Sequence, residues 1–221
     1  MTDDIRLIEV KEGILSENDR IADALRARLR EHRVFVLNLM ASPGAGKTSL
    51  ILQTIRALHR RFRIGVIEAD IDSSVDAETV ARTGVDTVQL RTGGFCHLDA
   101  SMVTRGVEAF DLDKVDMLIV ENVGNLVCPA EFDTGAHVSA MILSVPEGDD
   151  KPLKYPLMFS TCQALVVNKI DALSIFDFDL EVLRERTGQL NPDLEIFPLS
   201  CKSGEGVQAW VDWLIKAGQR L

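Results

Sequence analysis

The sequence predicts an α/β fold, a mostly parallel central sheet with helices on both faces. Two observations carry this. Short apolar runs alternate with helix-period segments along most of the chain, and strand alternating with helix is the pattern that builds a parallel sheet. The apolar runs are also nearly continuous, without a polar residue at every second position, as burial on both faces requires.

Taken in order, Asp19 to Arg33 carries Ile21, Ala24, Leu25, Arg28 and Leu29 near a helical period, which predicts an amphipathic helix. Val34–Leu39 then reads as a strand, followed by a helix from Lys47. Ile64–Ile67 precedes a helix near Asp76–Arg82, and Val85–Leu90 precedes one near Leu98–Phe110. Met117–Val120 and Val138–Val145 are further strands. Ala164–Asn168 leads towards a helix over Leu180–Leu190, and Ile196–Leu199 towards one that starts near Gly204. The expected organisation is a helical N-terminal extension, residues 1–33, and one domain over residues 34–221.

Composition narrows the function. A chain of 221 residues, 46% hydrophobic and 26% charged, can bury a real core. A formal net charge of −10 argues against nucleic acid as the main partner, because phosphate-backbone binding needs a basic face. No apolar run approaches the ~20 residues of a membrane span. The start, Met1-Thr2-Asp3-Asp4, is acidic and unlike a signal peptide. Four cysteines, none before Cys96, make a poor disulfide framework, so a reducing, cytoplasmic setting is expected.

The strand Val34–Leu39 runs into Ala41-Ser42-Pro43-Gly44-Ala45-Gly46-Lys47-Thr48. This is the phosphate-loop pattern G-x-x-x-x-G-K-[ST], with Ala41 in place of the first glycine. Its glycines let backbone N–H groups curl around phosphates while the next helix aims its positive end at them. The phosphate set is then Gly44, Ala45, Gly46, Lys47, Thr48 and Ser49. Lys47 would reach the β- and γ-phosphates, and the Thr48 hydroxyl would sit on Mg²⁺.

Asn168-Lys169-Ile170-Asp171 follows a buried strand and matches the N-K-x-D element of GTPases. A carboxylate at Asp171 accepts from the N1–H and 2-amino group of guanine, and adenine offers no matching donors there. Ser200-Cys201-Lys202, after the next strand, looks like the last base-contacting loop of GTPases. GTP and GDP are therefore the expected ligands.

Two strand ends carry acids: Glu68-Ala69-Asp70, with Asp76 a little beyond, and Glu121-Asn122-Val123-Gly124. Ligands of open parallel sheets sit at the carboxyl ends of the strands. Asp70 and Glu121 become candidate Mg²⁺ ligands, direct or through water, and the Gly124 N–H a γ-phosphate contact. Asp72 is read as a cap or a solvated charge. No glutamine follows Gly124 to position water, so Asp76 is the stand-in and slow turnover is expected. The candidate catalytic set is Lys47, Asp70, Asp76 and Glu121.

A second chemistry comes from Cys96-His97 and from Cys128 in Asn125-Leu126-Val127-Cys128-Pro129. Two thiolates and an imidazole suit Zn²⁺ or Ni²⁺. The spacing is not that of a zinc finger, and adjacent loop side chains tend to diverge. A buried thiol beside a capping histidine is the plain alternative, and a symmetric dimer offering the set twice is the other. Cys162 and Cys201 read as core and loop residues.

From Val34 onward the chain resembles the hydrogenase nickel-incorporation GTPases, the HypB family of the SIMIBI class of P-loop NTPases. The resemblance rests on Ser42–Thr48, Cys96-His97-Leu98-Asp99-Ala100, Glu121–Pro129, Glu147-Gly148-Asp149-Asp150-Lys151-Pro152 and Asn168–Asp171. It implies GTP-dependent homodimerisation and a Ni/Zn site from Cys96, His97 and Cys128 at the dimer interface. It also implies nickel delivery to the [NiFe]-hydrogenase large-subunit precursor, with a HypA-type nickel chaperone as partner docking near the N-terminal segment. Unlike some relatives, the sequence holds no cysteine motif or histidine-rich tract near its start; His32 and His59 stand alone. A related GTPase serving urease would be expected to show Cys-Pro-His, whereas Cys128-Pro129 is followed by Ala130. One serving a cobalamin-dependent mutase would lack the Cys/His set. A non-hydrolysing GTP-binding module fits poorly with Lys47, Thr48, Asp70 and Glu121 all present, and an ATP-dependent kinase fits worst.

Overall fold

A computed structural model describes residues 10–71 and 74–220; the reading of Asp72 falls outside them. The strands are β1 (Phe35–Ala41), β2 (Ile64–Asp70), β3 (Asp86–Arg91), β4 (Met117–Glu121), β5 (Val138–Ser144), β6 (Ala164–Asn168) and β7 (Glu195–Pro198). The helices are α1 (Val10–Glu31), α2 (Lys47–Leu58), α3 (Val75–Ala81), α4 (Ala100–Val107), α5 (Lys151–Lys154), α6 (Pro156–Thr161), α7 (Leu180–Leu190) and α8 (Val207–Gly218).

All described strand pairs are parallel, in the order β3-β2-β4-β1-β5-β6-β7. The predicted sheet is therefore present, and burial explains its sequence. β1, β4 and β6 are buried at every residue, which is why their apolar runs do not alternate. The edge strands β3 and β7 are only partly covered. One face of the sheet packs on α2 and α8, with Leu50, Ile51, Leu58, Trp210 and Leu214 in its core. On the other, Leu25 and Leu29 of α1 join Val103 and Val107 of α4 over β2 and β4, while α6 and α7 cover β5 and β6.

Two local differences from the periodicity have physical causes. The first helix is already formed at Val10, well ahead of the expected start near Asp19. Its early part, with Gly13, Ser16 and Asn18, carries no apolar period, and Asn18 is held instead by tertiary hydrogen bonds (below). Between β5 and β6, α5 and α6 are too short to show a period, and each has proline in its first turn.

The crossing order places β1 at the centre. Because all the described strands are parallel, the loops that follow them leave from one edge of the sheet, and the motifs singled out above lie on those loops.

Candidate functional site

β1 ends at fully buried Ala41, paired with Ile142 of β5, so the replaced glycine lies within the sheet rather than in the phosphate turn. The chain then turns through left-handed glycines, Gly44 (φ 77°) and Gly46 (φ 107°), before α2 starts at Lys47. Gly46 is required twice over, since a Cβ there would also lie 2.3 Å from the Asn168 amide nitrogen. The turn is braced from outside. Asn168 Nδ2 donates to the Ala45 carbonyl at 3.0 Å and Lys169 Nζ to the Gly44 carbonyl at 2.7 Å. The Ser42 hydroxyl donates to the Glu147 carboxylate, whose second oxygen accepts from Ser144 N and Oγ at 2.7 and 2.8 Å.

The base-reading candidates form one network with this turn. Asn168 Oδ1 accepts from Lys169 N and from Cys201 N at 2.8 and 3.1 Å. Ser200 Oγ donates to Asp171 Oδ1 at 2.6 Å and accepts from Lys202 N and Ser203 N. That hydroxyl is the main reason the Asp171 carboxyl sits below its ordinary range. A charged carboxylate at the base loop is what recognition of guanine donors needs.

Lys47, Glu68, Asp70, Asp76, Gln89, Glu121 and Gly124 line a small cavity of about 40 Å³. Glu68 and Glu121 are register partners on β2 and β4, and both are buried. Burial, then the Glu121 charge, pushes the Glu68 carboxyl up to about 10. Glu121 is also raised by burial, with the nearby Lys47 ammonium opposing; Lys47 Nζ lies 3.7 Å from Glu121 Oε1. Glu68 Oε1 and Glu121 Oε2 are buried without a hydrogen-bond partner. Two orphaned carboxylate oxygens beside a phosphate-loop lysine are the donor chemistry of a hard divalent cation. Glu68 is absent from the candidates drawn from sequence. The signal for it was there, because residues two apart on a strand share a face, and Asp70 had been chosen.

Cys96, His97 and Cys128 converge within one chain, their ligand atoms all within 4.8 Å of one another. The expected divergence of neighbouring loop side chains does not occur. The loop after β3 doubles back through left-handed Gly93 and Gly94, and Thr92 Oγ1 ties it down by donating to the Phe95 carbonyl at 2.7 Å. Cys96 Sγ lies 2.9 Å from Cys128 Sγ and 3.9 Å from His97 Nδ1. The hydrogen bond with Cys96 raises the Cys128 thiol above its ordinary value, and burial adds to it. Burial lowers His97, leaving a neutral imidazole, the ligating form. Two thiols and a neutral imidazole fit Ni²⁺ or Zn²⁺. Cys162 is buried, with its thiol pushed up to about 12, and Cys201 is half-buried in the base loop.

A buried asparagine network joins the two centres. Asn122 Oδ1 accepts from Leu98 N at 3.0 Å, and its amide donates to Asn38 Oδ1 at 3.2 Å. Asn125 Nδ2 donates to the Cys96 carbonyl at 3.3 Å. The segment that continues from Glu121 thus holds the Cys96–Leu98 loop by two side chains before it supplies Cys128.

A parallel sheet, a phosphate loop and an N-K-x-D loop on one edge, with a Cys/His cluster beside them, define a P-loop nucleotide-binding protein. Residues 35–198 match the family model described as CobW/HypB/UreG, nucleotide-binding domain. The hydrogenase maturation factor HypB of Azotobacter vinelandii is 46% identical over 217 residues, covering 98% of this chain and 72% of that protein. The crystal structure of HypB from Helicobacter pylori in complex with nickel superposes with a TM-score of 0.87 at 36% identity, over 92% of this chain and 96% of that one. HypB from Archaeoglobus fulgidus gives 0.86 at 36% identity, over 92% and 100%. The signal recognition particle receptor FtsY of Elizabethkingia anophelis, at 0.57 and 15% identity over 87% of this chain and 68% of that one, shares the fold alone. The chain belongs to the CobW/HypB/UreG family and, within it, to the HypB hydrogenase maturation factors.

Proposed function

We propose that this chain is a GTP-hydrolysing metallochaperone that binds Ni²⁺ or Zn²⁺ through Cys96, His97 and Cys128 and assists nickel insertion into [NiFe]-hydrogenase. The observation that carries the reading is the convergence of those three side chains on the segment that continues from Glu121. Gly44 to Ser49 cradle the phosphates, with Lys47 and the Gly124 N–H at the γ-phosphate. Asn168, Lys169, Asp171 and the Ser200–Lys202 loop hold guanine. Thr48, Asp70 and Glu121 are the groups that would hold Mg²⁺, with Glu68 beside them. Bound Mg²⁺ supplies charge neutralisation at the phosphate oxygens. Asp76, which lines the same cavity, is the group this reading assigns to orient the attacking water.

Nucleotide-dependent pairing with a second copy belongs to the same reading. It is supported by exposed Ile71, Phe95 and Val127 on the loops around the two centres and by exposed Val75 at the start of α3. The reading names a HypA-type nickel chaperone and the hydrogenase large-subunit precursor as further partners. Cys128→Ala is expected to weaken Ni²⁺ and Zn²⁺ binding at least tenfold while GTP affinity stays within about twofold, because losing a thiolate costs the metal far more than the phosphate loop. Competition titration with a metal-sensitive chelator measures the first and a fluorescent GTP analogue the second. Equal metal affinity in variant and parent would sink the assignment.

A further inference from the structure

A metal-binding histidine normally has its ring fixed by a hydrogen bond from the nitrogen not used for the metal, to a carboxylate or a carbonyl. Among the described residues no carboxylate or carbonyl is hydrogen-bonded to the His97 ring, although the Asp99 and Glu131 charges act on it. Among the described residues its only polar neighbour within hydrogen-bonding range is Cys96 Sγ, itself a member of the cluster. What holds the ring is Phe132, stacked on it at 4.0 Å between centroids with the planes 22° apart. Both rings are half-buried. Such a pairing constrains the tilt of the imidazole plane and so the directions of its nitrogens.

Phe132 is also well placed in the chain. It follows Cys128 by one short turn, Cys128–Ala130, closed by Glu131 N–H donating to the Cys128 carbonyl at 3.0 Å. One segment therefore places Cys128 directly and His97 through an aromatic face.

We propose that Phe132 is a positioning residue of the metal site, replacing the usual hydrogen-bonded support of His97 by ring stacking. The inference rests on the reading of Cys96, His97 and Cys128 as metal ligands, and the test separates the two. It uses the full chain, titrated with Ni²⁺ against a competing chelator, with thiolate-to-nickel absorption and X-ray absorption counting nitrogen and sulfur ligands. The variants are His97→Ala, Phe132→Ala, Phe132→Leu, Phe132→Tyr and the His97→Ala/Phe132→Ala double variant.

Phe132→Ala is expected to lower Ni²⁺ affinity by about 10–100-fold, the usual loss when a ligand's support is removed, and to lose the nitrogen ligand while keeping both sulfurs. Phe132→Leu, which keeps apolar bulk without a flat face, gives the same spectrum and guards against a misfolded alanine variant. Phe132→Tyr restores the parent spectrum. In the His97→Ala background, removing Phe132 costs nothing further, because its effect passes through that ring. Parent-like affinity and spectrum in both Phe132→Ala and Phe132→Leu, with His97→Ala still weakened, overturns the inference and leaves the ligand reading standing. A full additional loss in the double variant also overturns it, since the phenylalanine then acts by packing alone. Unchanged binding in His97→Ala removes the ligand reading itself.

Discussion

Glu68 and Glu121 face each other across neighbouring strands next to Lys47, and the burial that raises both carboxyls has a thermodynamic consequence. With Glu68 at about 10 in the folded chain against an ordinary 4.5, the folded state holds a proton that the unfolded chain releases. The associated stability is complete below the ordinary value and is lost as pH climbs towards the folded one. Nucleotide- and metal-free protein should therefore lose stability between about pH 6 and about pH 8.5, by at most about 1.4 kcal/mol per pH unit for this proton. Glu68→Gln, neutral throughout, should flatten that slope; urea unfolding at the two pH values measures it, and equal slopes count against the buried-proton account. Residues with a fixed motif spacing, such as Lys47, Thr48, Asn168 and Asp171, were legible in the sequence because local backbone geometry dictates them. Asn122 and Phe132 were not, because their partners lie on other elements and only the path of two loops brings them together; Glu68 was legible only as the residue that shares a strand face with Asp70, its pairing with Glu121 being set by the register of β2 with β4.

Among the elements, α1 shows how tertiary contact overrides local pattern. Asn18 is buried within it, donating to the Asp133 carbonyl and accepting from the Ala100 N–H, each at 2.9 Å. The second bond satisfies a first-turn donor of α4, whose N-cap Asp99 covers only Met102 N. Arg26 adds an ion pair to Asp133 at 2.6 Å. α1 thus anchors both loops that carry the metal-ligand candidates, one at Ala100 and one at Asp133. Asn18→Ala leaves two backbone groups unpartnered and should cost about 2 kcal/mol, a fall in Tm of roughly 4–8 °C for a chain of this size. Asn18→Asp keeps the acceptor for Ala100 but turns a buried carboxylate oxygen towards the Asp133 carbonyl, and should lose at least as much as the alanine variant. Calorimetry of the three proteins decides it; an alanine variant as stable as the parent would show that water replaces both bonds. The strands and α7 were legible because each is long enough to show its own period. The early part of α1 was not, because it carries no apolar period and Asn18 is held from other elements, and α5 and α6 were not, because each is too short to show a period.

At the scale of the whole molecule, the sheet order brings two chemistries to one edge, and a single segment connects them. It leaves β4 at Glu121 in the cavity beside the phosphate loop, packs Gly124 against Pro43, and holds the Cys96 loop through Asn122 and Asn125. It then supplies Cys128 and the ring beneath His97. On the proposed reading, a γ-phosphate that draws Gly124 towards itself would shift the segment that carries Cys128. Binding of the two ligands is then coupled, and coupling of equilibrium affinities is reciprocal. If a GTP analogue changes Ni²⁺ affinity relative to GDP by some factor, within the usual range of about 5–150-fold, Ni²⁺ must change the preference for analogue over GDP by the same factor. Asn125→Ala, which cuts the tie to the Cys96 carbonyl and also removes a hydrogen bond to the Cys128 thiol, should shrink both factors together, each referred to the Ni²⁺ affinity that the variant itself shows in GDP. Calorimetric titrations in both orders measure the pair. A factor of one in the parent protein would mean that the shared segment moves as a rigid bystander, and that the two sites are neighbours without being a switch.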